Sequence, residues 1–232
     1  MKDITVCITS CNRFALLKQA IESLLNLNTY PISRIVVIED SGKLEIKDKI
    51  LNSFSNKIEL IFNEINIGQI KSIDKVYKTV DTPYILHIED DYNFVGNTNF
   101  IQNSIDILSE RTDVHQIWIR HMDDFIPTHT QVFNDAAFSS EILSTTNGVM
   151  YKMVSLHFGW CGFTFNPSIK RTEDYHRVFP NGFEEFMAPG FQGNLSEAQC
   201  DRHAGKNNWR AAILINGACY NMGNSHKLST YG

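Results

Sequence analysis

An α/β fold, with a mostly parallel central sheet and helices on both faces, is predicted by three features of the sequence. Short β-branched runs alternate with helical periodicities through the first half of the chain. One of these runs, Arg34-Ile35-Val36-Val37-Ile38, is almost continuously apolar, as a strand covered on both faces must be. Successive runs also end in polar or acidic residues, the pattern expected where strands meet a ligand at their carboxyl edge.

The elements follow in order. Ile4-Thr5-Val6-Cys7-Ile8 reads as the first strand, and Asn12 is placed to cap the helix after it. In that helix Phe14, Leu17, Ala20, Ile21, Leu24 and Leu25 recur at helical spacing, and Pro31 breaks the chain before the second strand. A helix over about Leu44 to Phe54 leads to a third strand, Ile58-Glu59-Leu60-Ile61-Phe62. A helix over about Ile70 to Val80 leads to Pro83, which opens a fourth strand, Tyr84 to Ile88.

The second half is less regular. Strand-like stretches are expected at Gln116-Ile117-Trp118-Ile119, near Gly148 to Val154, and at Phe163-Thr164-Phe165. A Gly- and Phe-rich loop runs from Pro180 to Gly193. A helix over about Ser196 to Ala204 precedes a last strand at Trp209 to Ile215. No repeat, low-complexity tract or linker interrupts the chain, so residues 1–232 are expected to form one domain.

Bulk properties narrow the function. The 232 residues are 43% hydrophobic and 20% charged, an ordinary globular balance with enough chain for a sizeable core. The formal net charge of -5, with no basic stripe, argues against nucleic acid as a partner. The odd set Cys7, Cys11, Cys161, Cys200 and Cys219 lacks metal-ligand spacing and reads as free thiols in a reducing compartment. No secretory signal precedes the first strand and no apolar run approaches the ~20 residues of a membrane span, so a cytoplasmic location is expected. Peripheral membrane contact needs only a small surface patch and stays open.

The chemistry gathers at the strand ends. They are Thr9-Ser10-Cys11-Asn12-Arg13, Glu39-Asp40-Ser41-Gly42, Asn63 with Asn66-Ile67-Gly68, and Glu89-Asp90-Asp91. Three adjacent carboxylates repel one another unless water or a cation screens them. In an extended segment Glu89 and Asp91 would point the same way and could share a hard cation such as Mg²⁺ or Mn²⁺ through oxygen ligands.

These four segments, in this order, resemble a family 2-type glycosyltransferase with the GT-A fold. The resemblance covers about the first hundred residues. It implies a nucleotide-binding half over 1–95 and an acceptor-binding half over 96–232. It implies transfer of a sugar from a nucleotide diphosphate donor, with a UDP-linked sugar expected, to the hydroxyl of a glycan, lipid-linked or protein acceptor, with a divalent metal (Mn²⁺ or Mg²⁺) as cofactor and inversion at the sugar. By the same resemblance Thr9 and either Glu39 or Asp40 would hold the nucleoside. Arg13 and Asp90 would belong to the donor site, Asp91 would ligate the metal, and Glu89 would contact the ribose or the metal shell.

The chain departs from the family pattern in places. The acidic triplet is EDD, Cys11 stands where an aromatic residue often stacks on the base, and Lys71 is the nearest basic residue to the usual Arg. His157-Phe158-Gly159-Trp160-Cys161-Gly162-Phe163 resembles the loop near donor sugar and acceptor, with Gly159 allowing close approach and Trp160 offering a flat face. A tight turn with a core Trp is the alternative.

For the catalytic base the resemblance points to Glu197 at the start of the late helix. Asp201 lies one turn beyond it, and Glu184 and Glu185 are rivals. His226 is a candidate metal or diphosphate ligand, whereas His87, inside a strand, is expected to be a satisfied core residue. Two other functions compete. A sugar-phosphate nucleotidyltransferase would open with a Gly-rich basic loop, and residues 9–15 contain no glycine. A non-catalytic nucleotide-sugar-binding module would keep the donor site without the base.

Overall fold

The structure is a computed structural model describing residues 3–124, 137–154, 160–186 and 194–222, with the side chains of 194–196 not described. The first half forms as the periodicities predict. Strand β1 (Ile4–Ser10), helix α1 (Phe14–Leu27), β2 (Arg34–Glu39), α2 (Leu44–Phe54), β3 (Glu59–Phe62), α3 (Gln69–Tyr77) and β4 (Tyr84–Glu89) follow one another. Then come β5 (Tyr92–Phe94), α4 (Phe100–Glu110), β6 (Gln116–Trp118), β7 (Leu143–Ser144), β8 (Met150–Met153) and β9 (Ser168–Arg171). Helix α5 (Thr172–Val178), a 3-10 turn (Phe183–Phe186), α6 (Asn194–Lys206), β10 (Ala211–Leu214) and β11 (Cys219–Asn221) complete the described order.

The central sheet has nine strands in the order β3-β2-β1-β4-β9-β6-β10-β8-β7. Its first four strands are parallel. Beyond β4 the sheet is mixed: β9 runs antiparallel to both β4 and β6, β10 is parallel to β6, and β8 is antiparallel to both β10 and β7. The expectation of a mostly parallel sheet is therefore corrected to a mixed one. Helical crossovers link the four parallel strands of the first half, whereas beyond β4 the reversed strand β9 is inserted between β4 and β6 and breaks the parallel run. A small second sheet pairs β5 with β11.

Helices cover both faces. One core layer joins Leu17, Ile21, Ile50, Phe100 and Leu108 from α1, α2 and α4 to the inward side chains of β1, β2 and β4. The other joins Ile73, Tyr77, Tyr175, Phe179 and Trp209 to Cys7, Val36 and Ile85. Alternate residues of the central strands thus face opposite layers, which is why those strands are apolar throughout.

Three local expectations are overturned. Asn12 does not cap α1: it adopts φ 60°, and α1 has no side-chain cap hydrogen bond. Phe163-Thr164-Phe165 is not a strand, because carboxylates of α6, rather than a neighbouring strand, accept the backbone N–H groups of Cys161, Phe163 and Phe165. The strand lies a few residues later, at β9. His87 is a core residue, but neither ring nitrogen has a hydrogen-bond partner among the described residues. Among the described residues no helix is long and apolar enough to cross a membrane.

Candidate active site

Strand β1 lies between β2 and β4, and the register sets Ser10 beside Glu39 and Thr9 beside Glu89. One strand order thus brings Thr9, Glu39, Asp40 and the acidic triplet to a single edge. All the acids of β2 and β4 there are half-buried or buried, and each is held by particular donors.

Glu39 is fully buried, and its Oε1 accepts the backbone N–H groups of Asn12 (2.9 Å) and Ser41 (3.0 Å). The left-handed backbone of Asn12 is what turns that N–H toward Glu39. Glu39 Oε2 is buried and has no hydrogen-bond partner among the described residues. Asp40 is committed elsewhere. Its Oδ1 accepts Asn63 Nδ2 (2.8 Å) and Ile67 N (2.9 Å), and its Oδ2 accepts Gly68 N (2.8 Å). Asp40 therefore fixes the Asn66-Ile67-Gly68 loop at the entrance of α3, where Gly68 has φ 90°. Cys11 is exposed, and its sulfur accepts a hydrogen bond from Asn66 Nδ2 at 3.4 Å.

The acidic triplet is not extended throughout. Strand β4 ends at Glu89, and Asp90 and Asp91 form a turn before β5. The alternation that would have pointed Glu89 and Asp91 the same way is broken, because Asp90 turns inward onto Arg13. The Arg13 guanidinium donates Nε to Asp90 Oδ2 at 3.1 Å and Nη1 to Asp91 Oδ2 at 3.3 Å, and its Nη2 forms an ion pair with Asp90 Oδ1. Burial pushes the Asp90 carboxyl up to about 7 against the pull of that guanidinium. Asp91 Oδ1 is buried and without a hydrogen-bond partner among the described residues. Glu89 accepts a hydrogen bond from Gln69 Nε2 at 2.6 Å. Burial, then the charges of Asp91, Glu197 and Asp90, push Glu89 up to about 8.

The influence of its charge on Glu89 places Glu197, on the late helix, near the same edge. Glu197 Oε1 accepts Thr164 Oγ1 (2.6 Å) and Phe165 N (3.0 Å). Burial raises the Glu197 carboxyl, and the two donors counter it. Asp201, one turn on, accepts Cys161 N (3.2 Å) and Phe163 N (3.0 Å), so it shares the helix face of Glu197 and clamps the 161–163 loop. Trp160 is half-buried, packs on Trp118 with ring centroids 4.9 Å apart, and donates Nε1 to Phe163 O at 3.2 Å.

The other candidates are placed apart from the acids or lie beyond description. Lys71 is exposed and pairs with Glu184 at 3.2 Å, and Glu185 is exposed as well. Gly159 and His226 lie outside the described residues. The last described residues border the triplet: β11 pairs with β5, and Met222 N donates to Asp91 O at 2.7 Å. Sequence reasoning does not single out Gln69, Thr164 or Asn166, which bond Glu89, Glu197 and Thr164 respectively. Gln69 directly follows the Asn-x-Gly segment, a position that could have drawn attention; Thr164 and Asn166 carry no comparable signal. A recess of about 500 Å³ opens at the opposite edge of the sheet, lined by residues such as Tyr30, Arg34, Lys57 and Glu59, and contains none of these acids.

No curated protein sequence matches the chain. Solved structures share its fold at low identity. Staphylococcus aureus TarS 1-349, in a crystal structure with UDP-GlcNAc, is 17% identical with a TM-score of 0.60, over 94% of this chain and 58% of that one. TarS 1-349 alone gives a TM-score of 0.62 at 16% identity, over 95% of this chain and 60% of that one. The mannosyltransferase PcManGT from Pyrobaculum calidifontis, in complex with GDP-Man and Mn²⁺, is 14% identical with a TM-score of 0.61, over 92% of this chain and 56% of that one. The chain thus spans about 60% of the first of these structures. The model of "Glycosyl transferase family 2" matches residues 5–165, which hold every strand-end segment described above, and the chain belongs to that family.

Proposed function

We propose that this chain is a metal-dependent glycosyltransferase of the GT-A type, transferring a sugar from a nucleotide diphosphate donor to an acceptor hydroxyl. Residues 1–95 form the donor half, and 96–232 supply the base and the acceptor side. The observation that carries the reading is Asp91 Oδ1, a buried carboxylate oxygen without a hydrogen-bond partner among the described residues, at the end of β4. Among the described residues no three acidic, His or Cys side chains form a metal cage. A cation held by one or two carboxylates and completed by substrate phosphates and water, the usual arrangement for Mg²⁺ and its like, does not require such a cage. Asp91 would hold it, with His226 as a second candidate. When bound, such a cation supplies Lewis-acid stabilisation of the leaving diphosphate.

The chain's own residues do the rest. Glu39 receives the N3–H of a uracil-type base through Oε2, and Thr9 lines the nucleoside. Arg13 adds positive charge beside the diphosphate. Trp160 and Gly159 border the sugar. Glu197 takes the acceptor proton as the hydroxyl oxygen bonds the anomeric carbon. The bond from that carbon to the diphosphate oxygen breaks, and its electron pair leaves with the nucleotide. A single displacement of this kind inverts the anomeric centre. Five free thiols support a reducing compartment, and so the cytoplasm.

Calorimetric titration of UDP and of GDP, each with and without Mn²⁺, tests the reading. Binding of one nucleotide is expected to strengthen with Mn²⁺ in the parent, and Asp91→Ala is expected to lose the Mn²⁺-dependent part while keeping the fold. Equal affinity in parent and variant with Mn²⁺ present would remove Asp91 from the metal site.

A further inference from the structure

Glu197 is only as useful as its orientation, and that orientation comes from outside its own helix. Thr164 Oγ1 donates to Glu197 Oε1 at 2.6 Å. The Thr164 oxygen in turn accepts Asn166 Nδ2 (2.6 Å) and Asn166 N (3.1 Å), so its hydroxyl proton has one direction left, toward the carboxylate. Asn166 is itself fixed from the opposite side. Its Oδ1 accepts Tyr92 Oη (2.6 Å) and Arg120 Nη1 (3.0 Å), and Tyr92 is the residue after Asp91. Arg120 is braced by Asp124, whose Oδ2 also accepts Asn221 N at 2.8 Å. A continuous hydrogen-bonded chain thus runs from Glu197 through Thr164 and Asn166 to the strand that begins beside the acidic triplet.

We propose that Thr164, held by Asn166, is the positioning residue of Glu197: it occupies Oε1 and so leaves Oε2 as the oxygen that receives the acceptor proton. The inference rests on Glu197 being the base. Neither Thr164 nor Asn166 touches the reacting atoms in this role. An Asn amide cannot pass a proton along, so the chain orients the carboxylate and does not relay protons. Because Tyr92 and Asp91 are adjacent, the same chain fixes the base relative to the acidic triplet. The two sides of the reaction are therefore held at one distance.

The assay uses water as the acceptor, with UDP-GlcNAc and GDP-mannose as donor probes and Mn²⁺ present; released nucleoside diphosphate is measured. Water attacks the anomeric carbon, its proton goes to Glu197 Oε2, and the leaving electron pair goes to the diphosphate. Misplacing a catalytic group by ~1 Å costs about 10²-fold. Thr164→Val is expected to lower kcat by about 10- to 100-fold with the donor KM within about twofold of the parent. Thr164→Ser, which keeps the hydroxyl, is expected to restore most of the loss. Asn166→Ala, which frees the hydroxyl to rotate, is expected to show the same split, and thermal melts confirm that each variant is folded. Parental kcat in Thr164→Val beside an inactive Glu197→Gln overturns the proposal and leaves the base in place. Parental kcat in Glu197→Gln removes the base and the proposal together. Loss in Thr164→Val that Ser does not restore also overturns it, since the hydroxyl is then not what matters.

Discussion

The two acids that end β2 differ in what their oxygens have left to do. Asp40 has both oxygens engaged by the Asn63 side chain and the backbone of Ile67 and Gly68. Glu39 has one oxygen engaged and one buried without a partner among the described residues. Glu39→Gln keeps Oε1 for the Asn12 and Ser41 N–H groups and puts a donor where Oε2 was. It is expected to weaken uridine nucleotide binding by at least tenfold, a cost of about 1.4 kcal/mol, with a nearly unchanged melting temperature. Asp40→Asn is expected to lower the melting temperature, because its amide cannot accept all three donors. Calorimetry and melts on the two variants decide it; lost binding in a fully stable Asp40→Asn, with normal binding in Glu39→Gln, reverses the assignment. The sequence places both acids at the right edge but does not divide their work. That division depends on Asn12 and on the 63–68 loop, which are distant in the chain. The same holds for the triplet, where Asp90 is claimed by Arg13 and Glu89 by Gln69.

Helix α3 is tied at both ends. Gln69 holds Glu89, and near its other end Asp74 accepts Phe183 N and Glu184 N, each at 2.8 Å, and Tyr175 Oη at 3.2 Å. Gly182 has φ 92°, and a Cβ there would lie 2.7 Å from the Asp74 carboxylate. Gly182→Ala therefore combines backbone strain with a collision against a buried anchor. It is expected to cost about 1–3 kcal/mol, read as a lower urea midpoint with an unchanged m-value. An unchanged midpoint would show that the turn relaxes freely. At this scale the legibility of the sequence is uneven for a physical reason. Strands β1, β2 and β4 and helices α1 to α3 announce themselves because their periodicity is set by burial within each element. Helix α4 and strand β9 carry no comparable signal, and Phe163-Thr164-Phe165 reads as a strand from its sequence. In that stretch the alternation of apolar residues is real, but Asp201 and Glu197, 38 and 32 residues beyond their partners Phe163 and Phe165, take the hydrogen bonds a strand would have given.

At the scale of the whole molecule, the layer between the sheet and α3 contains groups that the proposed chemistry does not use. Lys170 is 1% exposed, with Nζ 3.1 Å from Tyr77 Oη, and its charge acts on His87, whose ring nitrogens have no hydrogen-bond partner among the described residues. Burial brings Lys170 down to about 7 and His87 well below its ordinary value. The sign follows from proton counts. Between about 7 and the ordinary Lys value, the unfolded chain binds a proton that the folded chain does not, so stability rises with pH across that window. Below about 7 the folded protein must carry the buried charge, and the penalty is present in full. Lys170→Met is expected to be more stable than the parent at pH 6 to 7 and to lose that advantage progressively as pH rises from about 7 toward the ordinary Lys value of 10.5; urea midpoints at several pH values test this. A constant difference across the range would mean that the amine titrates normally in the fold.

The pairing of β11 with β5 has a consequence in time rather than in space. Cys219 sits opposite Phe94, and Met222 is bonded to the backbone of Asp91. The strand that borders the acidic triplet therefore waits for a partner made more than half a chain later. On a ribosome, the parallel β3-β2-β1-β4 unit can assemble early from local crossovers. The triplet beside it stays unframed until residues 219–222 emerge and close a very long loop. On the proposed function, nucleotide-binding competence would then appear as one of the last events of folding, well after most of the secondary structure has formed.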